Sequence, residues 1–542
     1  MGENERLSLG ARGSSRILCV LLVLVIGLGV TVSGSLASPP VIMGAPKKVC
    51  LGKVAGIDLQ GATIPQLARA LAAHRVTSTQ LTKAYLAQIK AYDPQLNSVR
   101  HLNPNALQDA RRVDRVLRRP TDEGHPPLFG LPVLLKDNVN TSDMPTTAGS
   151  IALKGSVPKH DAYITKKLER AGAIVLGKLN LSEFAGWVSL GMPPGYSSLA
   201  GQVHNAYSHA WTPSGSSAGS GVAASMAFSA ATIGTETSGS ILSPSDANSI
   251  VGIKPTTGLA SRTGILPLAP GFDTPGPMVR NVTDAAVVLG AIAGTDKADP
   301  RTAEADGQMP KGGDYTRFLK TNALKGTRIG YSEEDRSSLG AAQETLFNRA
   351  LDDLRKQGAE LVATDMLNFS KWVGLAELGF IPNEFKGSLN QYLEEETSDK
   401  LRVRTLSDIV AYNEKHPKKM QYGQNLLEAS DATPGRRELE PASNAAIQPA
   451  RAAIDGTLLA NDLDAIVAPG PAYANVSASA GYPTVMVPGG YAKGSKLPMG
   501  VSFLGSAWDE PQLISYAYDY EQASKRRLPP TDFNSDLRKS GC

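Results

Sequence analysis

At 542 residues and 42 % hydrophobic content, the chain is long enough for one large core or two to three smaller ones. A formal charge of only +4, without a long basic or acidic run, excludes a protein that holds nucleic acid by bulk charge. Aromatics are few and show no RNA-stacking motif, and the seven histidines show no metal-ligand spacing, so no nucleic-acid partner, metal or cofactor is expected.

In chain order, the first element is a targeting segment. Arg6, Arg12 and Arg16 precede the apolar run "ILCVLLVLVIGLGV" (17–30), and "SLA" (35–37) offers small residues for cleavage. That pattern predicts a signal peptide over 1–37 and a secreted or periplasmic protein with no membrane association after cleavage. The alternative is an uncleaved anchor through residues 17–32, although the run is shorter than the roughly 20 apolar residues that span a bilayer. Cys19 falls inside this segment. Cys50 and Cys542 remain, as a disulfide in an oxidising compartment or as two free thiols. Residues 38–56 read as a loosely ordered lead-in.

"TSTQLTKAYLAQIKAY" then predicts a helix. Thr77 and Gln80 form a capping box, and Leu81, Ala84, Tyr85, Gln88, Ile89 and Tyr92 share one face. Short apolar runs follow at 131–135, 173–177, 327–331, 464–468, 484–488 and 500–505, each reading as a buried strand. Helical patterns lie between several of them, so the class is α/β. The stretch 221–232, "GVAASMAFSAAT", reads as a tightly packed buried helix. Residues 386–440 are more polar and helical in pattern, placed to cover one side of a site. With no Pro- or Gly-rich linker, residues 57–535 read as a single domain.

The chemistry centres on "GSSAGSG" (215–221). Gly215-Ser216-Ser217-Ala218-Gly219 fits the G-x-S-x-G nucleophile elbow, but Pro213 lies where that elbow needs a strand. The only later histidine, His416, sits in a charged, surface-like context, whereas a Ser-His-Asp triad needs one at the site. A phosphate-binding P-loop lacks its G-K-[ST]. Ser156-x-x-Lys159 encloses a proline that spoils the turn joining the two side chains. A serine enzyme here would need a lysine base. Lys136 ends an apolar run and could be drawn inside and kept neutral by burial, although spacing alone favours a lysine that snorkels from the strand end to water. A second turn, "GTETSGSILSP" (234–244), could aim successive backbone N–H groups at an oxyanion.

Residues 211–258, "WTPSGSSAGSGVAASMAFSAATIGTETSGSILSPSDANSIVGIKPTTG", resemble the signature of the amidase signature family. "GLPVLLKDNVNT", "TTAGS", "AGAIVLGKLNLSEFA", "DTPGPMVRNVTDAA" and "AGYPTVMVPGG" extend the likeness over about residues 57–530. The resemblance implies the amidase signature fold, a central mixed β-sheet covered by helices on both faces. It also implies a Ser–cis-Ser–Lys triad: Ser240 as acylated nucleophile, Ser216 as the serine after a cis peptide, and Lys136 as base. Backbone N–H groups of Thr237, Ser238, Gly239 and Ser240 would form the oxyanion hole, with Gly215 and Ser217 supporting the turn. Ser214 and Ser238 stand where many members have glycine, so each should need backbone angles that glycine reaches freely. Glu236 stands where aspartate is common. Leu242 replaces a frequent arginine, which argues against a small substrate with a free carboxylate. "EFKGSLNQYL" (384–393) is similar to the peptide amidase subgroup. The expected activity is hydrolysis of a peptide C-terminal amide or another neutral carboxamide. The alternatives are a catalytically silent ligand- or partner-binding member, a tRNA amidotransferase glutaminase subunit, or a membrane-anchored enzyme similar to fatty acid amide hydrolases.

Overall fold

The apolar runs assemble as expected, into one sheet. The computed structural model describes residues 52–117, 125–364, 370–436 and 440–537. The residue pair Cys50 and Cys542 and the segment 1–37, including the run 17–32, lie outside them. Among the described residues no helix is long and apolar enough to cross a membrane. Lys53–Val54 pairs with Ile57–Asp58, so the end of the expected lead-in is a short hairpin.

Eleven strands form the central sheet: β1 (Val99–Leu102), β2 (Pro132–Lys136), β3 (Ile174–Leu179), β4 (Ala231–Glu236), β5 (Val251–Lys254), β6 (Thr274–Val279), β7 (Arg328–Tyr331), β8 (Glu360–Ala363), β9 (Ala465–Pro469), β10 (Thr484–Tyr491) and β11 (Pro498–Leu504). Their order across the sheet is β8-β7-β9-β11-β10-β5-β6-β4-β2-β3-β1. The sheet is mixed. β2 runs parallel to both β3 and β4, while β6 is antiparallel to β4 and β5. Every residue of β2, β3 and β4 is buried, as befits strands covered on both faces.

The helices that position the site are α1 (Ser78–Leu96), α2 (Ala218–Ser225), α3 (Leu242–Ala247), α4 (Val282–Ile292), α5 (Ser370–Glu395), α6 (Leu406–Glu414) and α7 (Asn425–Asp431). The Thr77/Gln80 capping box starts α1, and Leu81, Tyr85, Gln88, Ile89 and Tyr92 are buried. α2 packs on β4 and β6, and α3 on β10, β11 and β5. A second apolar cluster sits apart from the main core. In it Phe385, Leu389 and Leu393 of α5 meet Phe184, Leu266 and Phe272. This cluster seats the polar 386–440 region over the loop after β5.

The expected helix over 221–232 is half wrong. α2 ends at Ser225, Ala227 turns the chain with φ +52°, and Ala231 onward enters the sheet as β4. Ala, Ser and Thr are small enough for either state. Here the open sheet edge between β2 and β6 decides, since pairing satisfies the buried backbone groups.

Small residues at 218–221 have a direct packing reason. A methyl group on Gly219 would overlap the backbone carbonyls of Asn180 and Ser98, which cannot move without disturbing β3 and β1. Gly219→Ala is therefore expected to cost about 1–3 kcal/mol through overpacking, read as a lower urea midpoint at unchanged m-value. An unchanged midpoint would show that the backbones give way freely.

Candidate active site

Lys136 ends β2 and is completely buried. Its Nζ lies 2.7 Å from Ser216 Oγ, 2.9 Å from Thr235 Oγ1 and 3.1 Å from the Thr235 carbonyl oxygen. Burial pushes the amine down to about 7, against the opposing pull of the Asp273 and Glu236 carboxylates. A neutral amine has two hydrogens and one lone pair. With both hydrogens on the two Thr235 oxygens, the lone pair faces the Ser216 hydroxyl, and proton transfer between them needs no rearrangement. The strand end therefore draws the lysine inside; it does not snorkel.

Ser216 is buried and follows a cis peptide bond from Gly215. Gly215 packs against the Ser182 hydroxyl, which accepts the Gly195 N–H at 2.8 Å. Ser217 staples the two signature turns together. Its N–H donates to the Ser240 carbonyl at 3.2 Å, its hydroxyl donates to the Thr235 carbonyl at 3.1 Å, and its oxygen accepts the Thr235 N–H at 3.2 Å. Ser240 thereby sits against the Ser216–Ser217 turn at the mouth of the site, 7 % exposed. Among the described residues its hydroxyl has no hydrogen-bond partner.

Thr237, Ser238, Gly239 and Ser240 form the turn between β4 and α3. Glu236 holds it from behind, since its Oε2 accepts the N–H groups of Ile241 at 2.7 Å and Leu242 at 3.0 Å. Burial pushes this carboxyl up, while Lys254 and the backbone N–H groups of Leu242, Ile241 and Gly239 favour its charged form. Ser238 Oγ donates to Asn475 Oδ1 at 2.8 Å.

One expectation about this turn needs correction. Ser214 does adopt φ +58°, but Ser238 is not among the positive-φ residues. Gly239 takes the left-handed position, with φ +78°, so Ser238 needs no glycine-like freedom. Leu242 is fully buried against Ala474 and Met486, so no cation occupies its place. His416 is exposed and stacks on Tyr412, and Lys159 points outward to Asp399.

Three further residues of the site lie in the quoted family-like segments but were assigned no role from sequence: Thr235, Asn138 and Asp273. Asn138 Nδ2 donates to Thr235 Oγ1 at 3.0 Å. Asp273 accepts the Thr237 hydroxyl and the N–H groups of Leu268 and Ala269. Beside Lys136 on the next strand, Lys178 is also buried and held to about 8 by desolvation, with Asp137 opposing. It bonds Thr146 Oγ1 at 2.6 Å and lies 3.7 Å from Asp137 Oδ1, which fixes the segment after β2. The only sequence clue to Asn138 was its place two residues after Lys136.

A buried amine bonded to one serine, with a second serine on the adjoining tight turn, defines a class of site: a lysine–serine cluster without histidine among the described side chains around it. Comparison with known proteins narrows the class. The family profile described as Amidase matches residues 80–514. A probable amidase of Arabidopsis thaliana is 40 % identical over 482 residues, covering 87 % of this chain and 92 % of the relative. The native peptide amidase of Stenotrophomonas maltophilia superposes with a TM-score of 0.80 at 41 % identity, over 87 % of this chain and 98 % of that one. A peptide amidase in complex with the competitive inhibitor chymostatin gives a TM-score of 0.80 at 41 % identity, over 87 % and 99 % of the two chains. The chain belongs to the amidase signature family and is a hydrolase of amide C–N bonds, similar to peptide amidases.

Proposed function

We propose that this protein hydrolyses the C–N bond of a neutral carboxamide, such as a peptide C-terminal amide, through an acyl-enzyme on Ser240. The 2.7 Å approach of Lys136 to Ser216 in a dry interior carries the reading. Neutral Lys136 takes the Ser216 proton as Ser216 takes the Ser240 proton, and Ser240 Oγ attacks the carbonyl carbon. The carbonyl oxygen becomes an oxyanion facing the backbone N–H groups of the 237–240 turn. Collapse of the tetrahedral adduct breaks the C–N bond, and the proton returns through Ser216 to the leaving nitrogen. Water then repeats the sequence on the ester and releases the acid.

Gly215 and Ser217 support this arrangement by holding the two turns together. Leucine rather than arginine at position 242 supports a substrate without a free carboxylate. The substrate is a small molecule or peptide, and the segment 1–37 directs the protein to secretion.

Intact-mass analysis after phenylmethylsulfonyl fluoride treatment tests the nucleophile. One sulfonyl adduct on the wild type, lost in Ser240→Ala, is the expected result. A folded wild type without an adduct would overturn the reading.

A further inference from the structure

Each residue of the 237–240 turn has its own anchor. Asp273 accepts the Thr237 hydroxyl, the Ser243 N–H bonds the Gly239 carbonyl at 2.8 Å, and the Ser217 N–H bonds the Ser240 carbonyl. Thr237 also borders a cavity of about 450 Å³ between the loop 262–275 and the last turns of α5. Ser238 lies outside that cavity and is half-buried.

What anchors Ser238 comes from a remote segment, α8 (Ala474–Ala480). The Ser238 hydroxyl donates to Asn475 Oδ1 at 2.8 Å, across 237 positions of chain. Among the described residues no other side chain bonds Ser238. Packing delivers α8 to this place. Ala474 clusters with Leu242 and Met486, and its Cβ lies 3.5 Å from where a methyl group on Gly239 would stand. Asn475 itself is exposed, so the fold does not depend on its side chain for core packing.

The backbone gives that bond its importance. The Gly239 N–H is turned towards the Glu236 carboxylate, whose charged form it favours. The Ser238 N–H has no partner among the described residues. It is therefore a donor left free for an oxyanion. Such a donor is effective when its direction is fixed before charge develops. A side chain tied at its own hydroxyl restricts the backbone that carries it.

We propose that Asn475 is a positioning residue of the oxyanion hole. Through the Ser238 hydroxyl it holds the Ser238 N–H in the direction the developing oxyanion requires. Asn475 touches neither the substrate nor the reacting atoms; it acts on the rate of acylation through Ser238. This role rests on Ser240 being the nucleophile proposed above.

The test follows the reaction of the full-length protein with phenylmethylsulfonyl fluoride as a time course of intact mass. Ser240 Oγ bonds the sulfur, fluoride leaves, and the serine proton passes through Ser216 to Lys136. The sulfonyl oxygens gain charge beside the turn, so the rate senses the same donors. Asn475→Leu keeps the size and removes the acceptor. It is expected to slow the reaction about three- to tenfold, the scale of one hydrogen bond, and less than the roughly 10²–10³ lost with an oxyanion donor itself. Ser238→Ala keeps the N–H, at a residue without positive φ. It should slow the reaction equally, and the double variant no further. Asn475→Asp retains an acceptor and should return to within about twofold of wild type in about 1 M salt, where the screening length is about 3 Å. An Asn475→Leu rate equal to wild type overturns the tether. So do losses that multiply in the double variant, or an Asn475→Asp as slow as Asn475→Leu. If the adduct forms and the variants react alike, only the tether fails; if a folded wild type forms none, the Ser240 reading fails and takes the tether with it.

Discussion

Ser240→Ala is expected to lower kcat for a carboxamide by at least about 10⁴-fold, the scale on which removal of a covalent nucleophile acts. The variant keeps every contact that shapes the turn. The Ser240 carbonyl still accepts the Ser217 N–H, and Glu236 still holds Ile241 and Leu242. The hydroxyl that is lost has no partner among the described residues, so its removal leaves no buried group unsatisfied. Stability should stay within about 0.5 kcal/mol of wild type. A kcat loss of less than tenfold, measured on a variant with unchanged thermal midpoint, would mean that Ser240 is not acylated.

Lys136→Met has the second-largest effect, and the change runs in opposite directions for activity and stability. Loss of a general base lowers kcat by about 10²–10⁴-fold with little change in KM. In the wild type, kcat/KM should fall on the acid side with a midpoint near the value of about 7 at which burial holds this amine, because only the neutral form accepts a proton. The acid limb should be absent from the residual activity of the variant. Stability follows from the same shift. The unfolded chain holds the lysine at its ordinary 10.5 and the folded chain near 7, so between those values the folded state binds fewer protons. Stability contributed by this group therefore rises with pH across that window, and below about 7 the folded protein bears the whole cost of a buried ammonium. Replacing it with methionine should stabilise the fold at neutral pH by about 1–4 kcal/mol. A destabilised Lys136→Met, seen by calorimetry, would show that its three hydrogen bonds outweigh its desolvation.

The sequence determined the elements whose signals are local. The Thr77/Gln80 capping box marks the start of α1 because both partners lie within one helical turn. β2, β3, β7, β9, β10 and β11 were readable as short apolar runs, since strands buried on both faces need no alternation. The signature turns, with Lys136, Ser216 and Ser240, were readable from residue types and a family resemblance.

Tertiary structure decided the rest. β1 (Val99–Leu102) is an edge strand with a polar sequence, and pairing with β3 alone makes it a strand. β6 contains Pro275 and Pro277, which argue against a strand. It is tolerated because pairing with β5 is confined to Met278 and Val279, past the prolines. The start of β4, Ala231 and Thr232, continues a run of small residues that fits helix or strand alike, and the gap between β2 and β6 chose. The site shows the same division. The sequence names a lysine and two serines, but whether that lysine is a base depends on how dry its surroundings are. That dryness comes from burial against β4, about 100 positions away in the chain, and it prevails over the opposing pull of Asp273, 137 positions away. The cavity joins the loop 262–275 to the end of α5, segments brought together by the second apolar cluster and by the Gly271 N–H bond to Glu384. No local pattern encodes such a meeting, because burial and charge pairing are properties of the assembled packing.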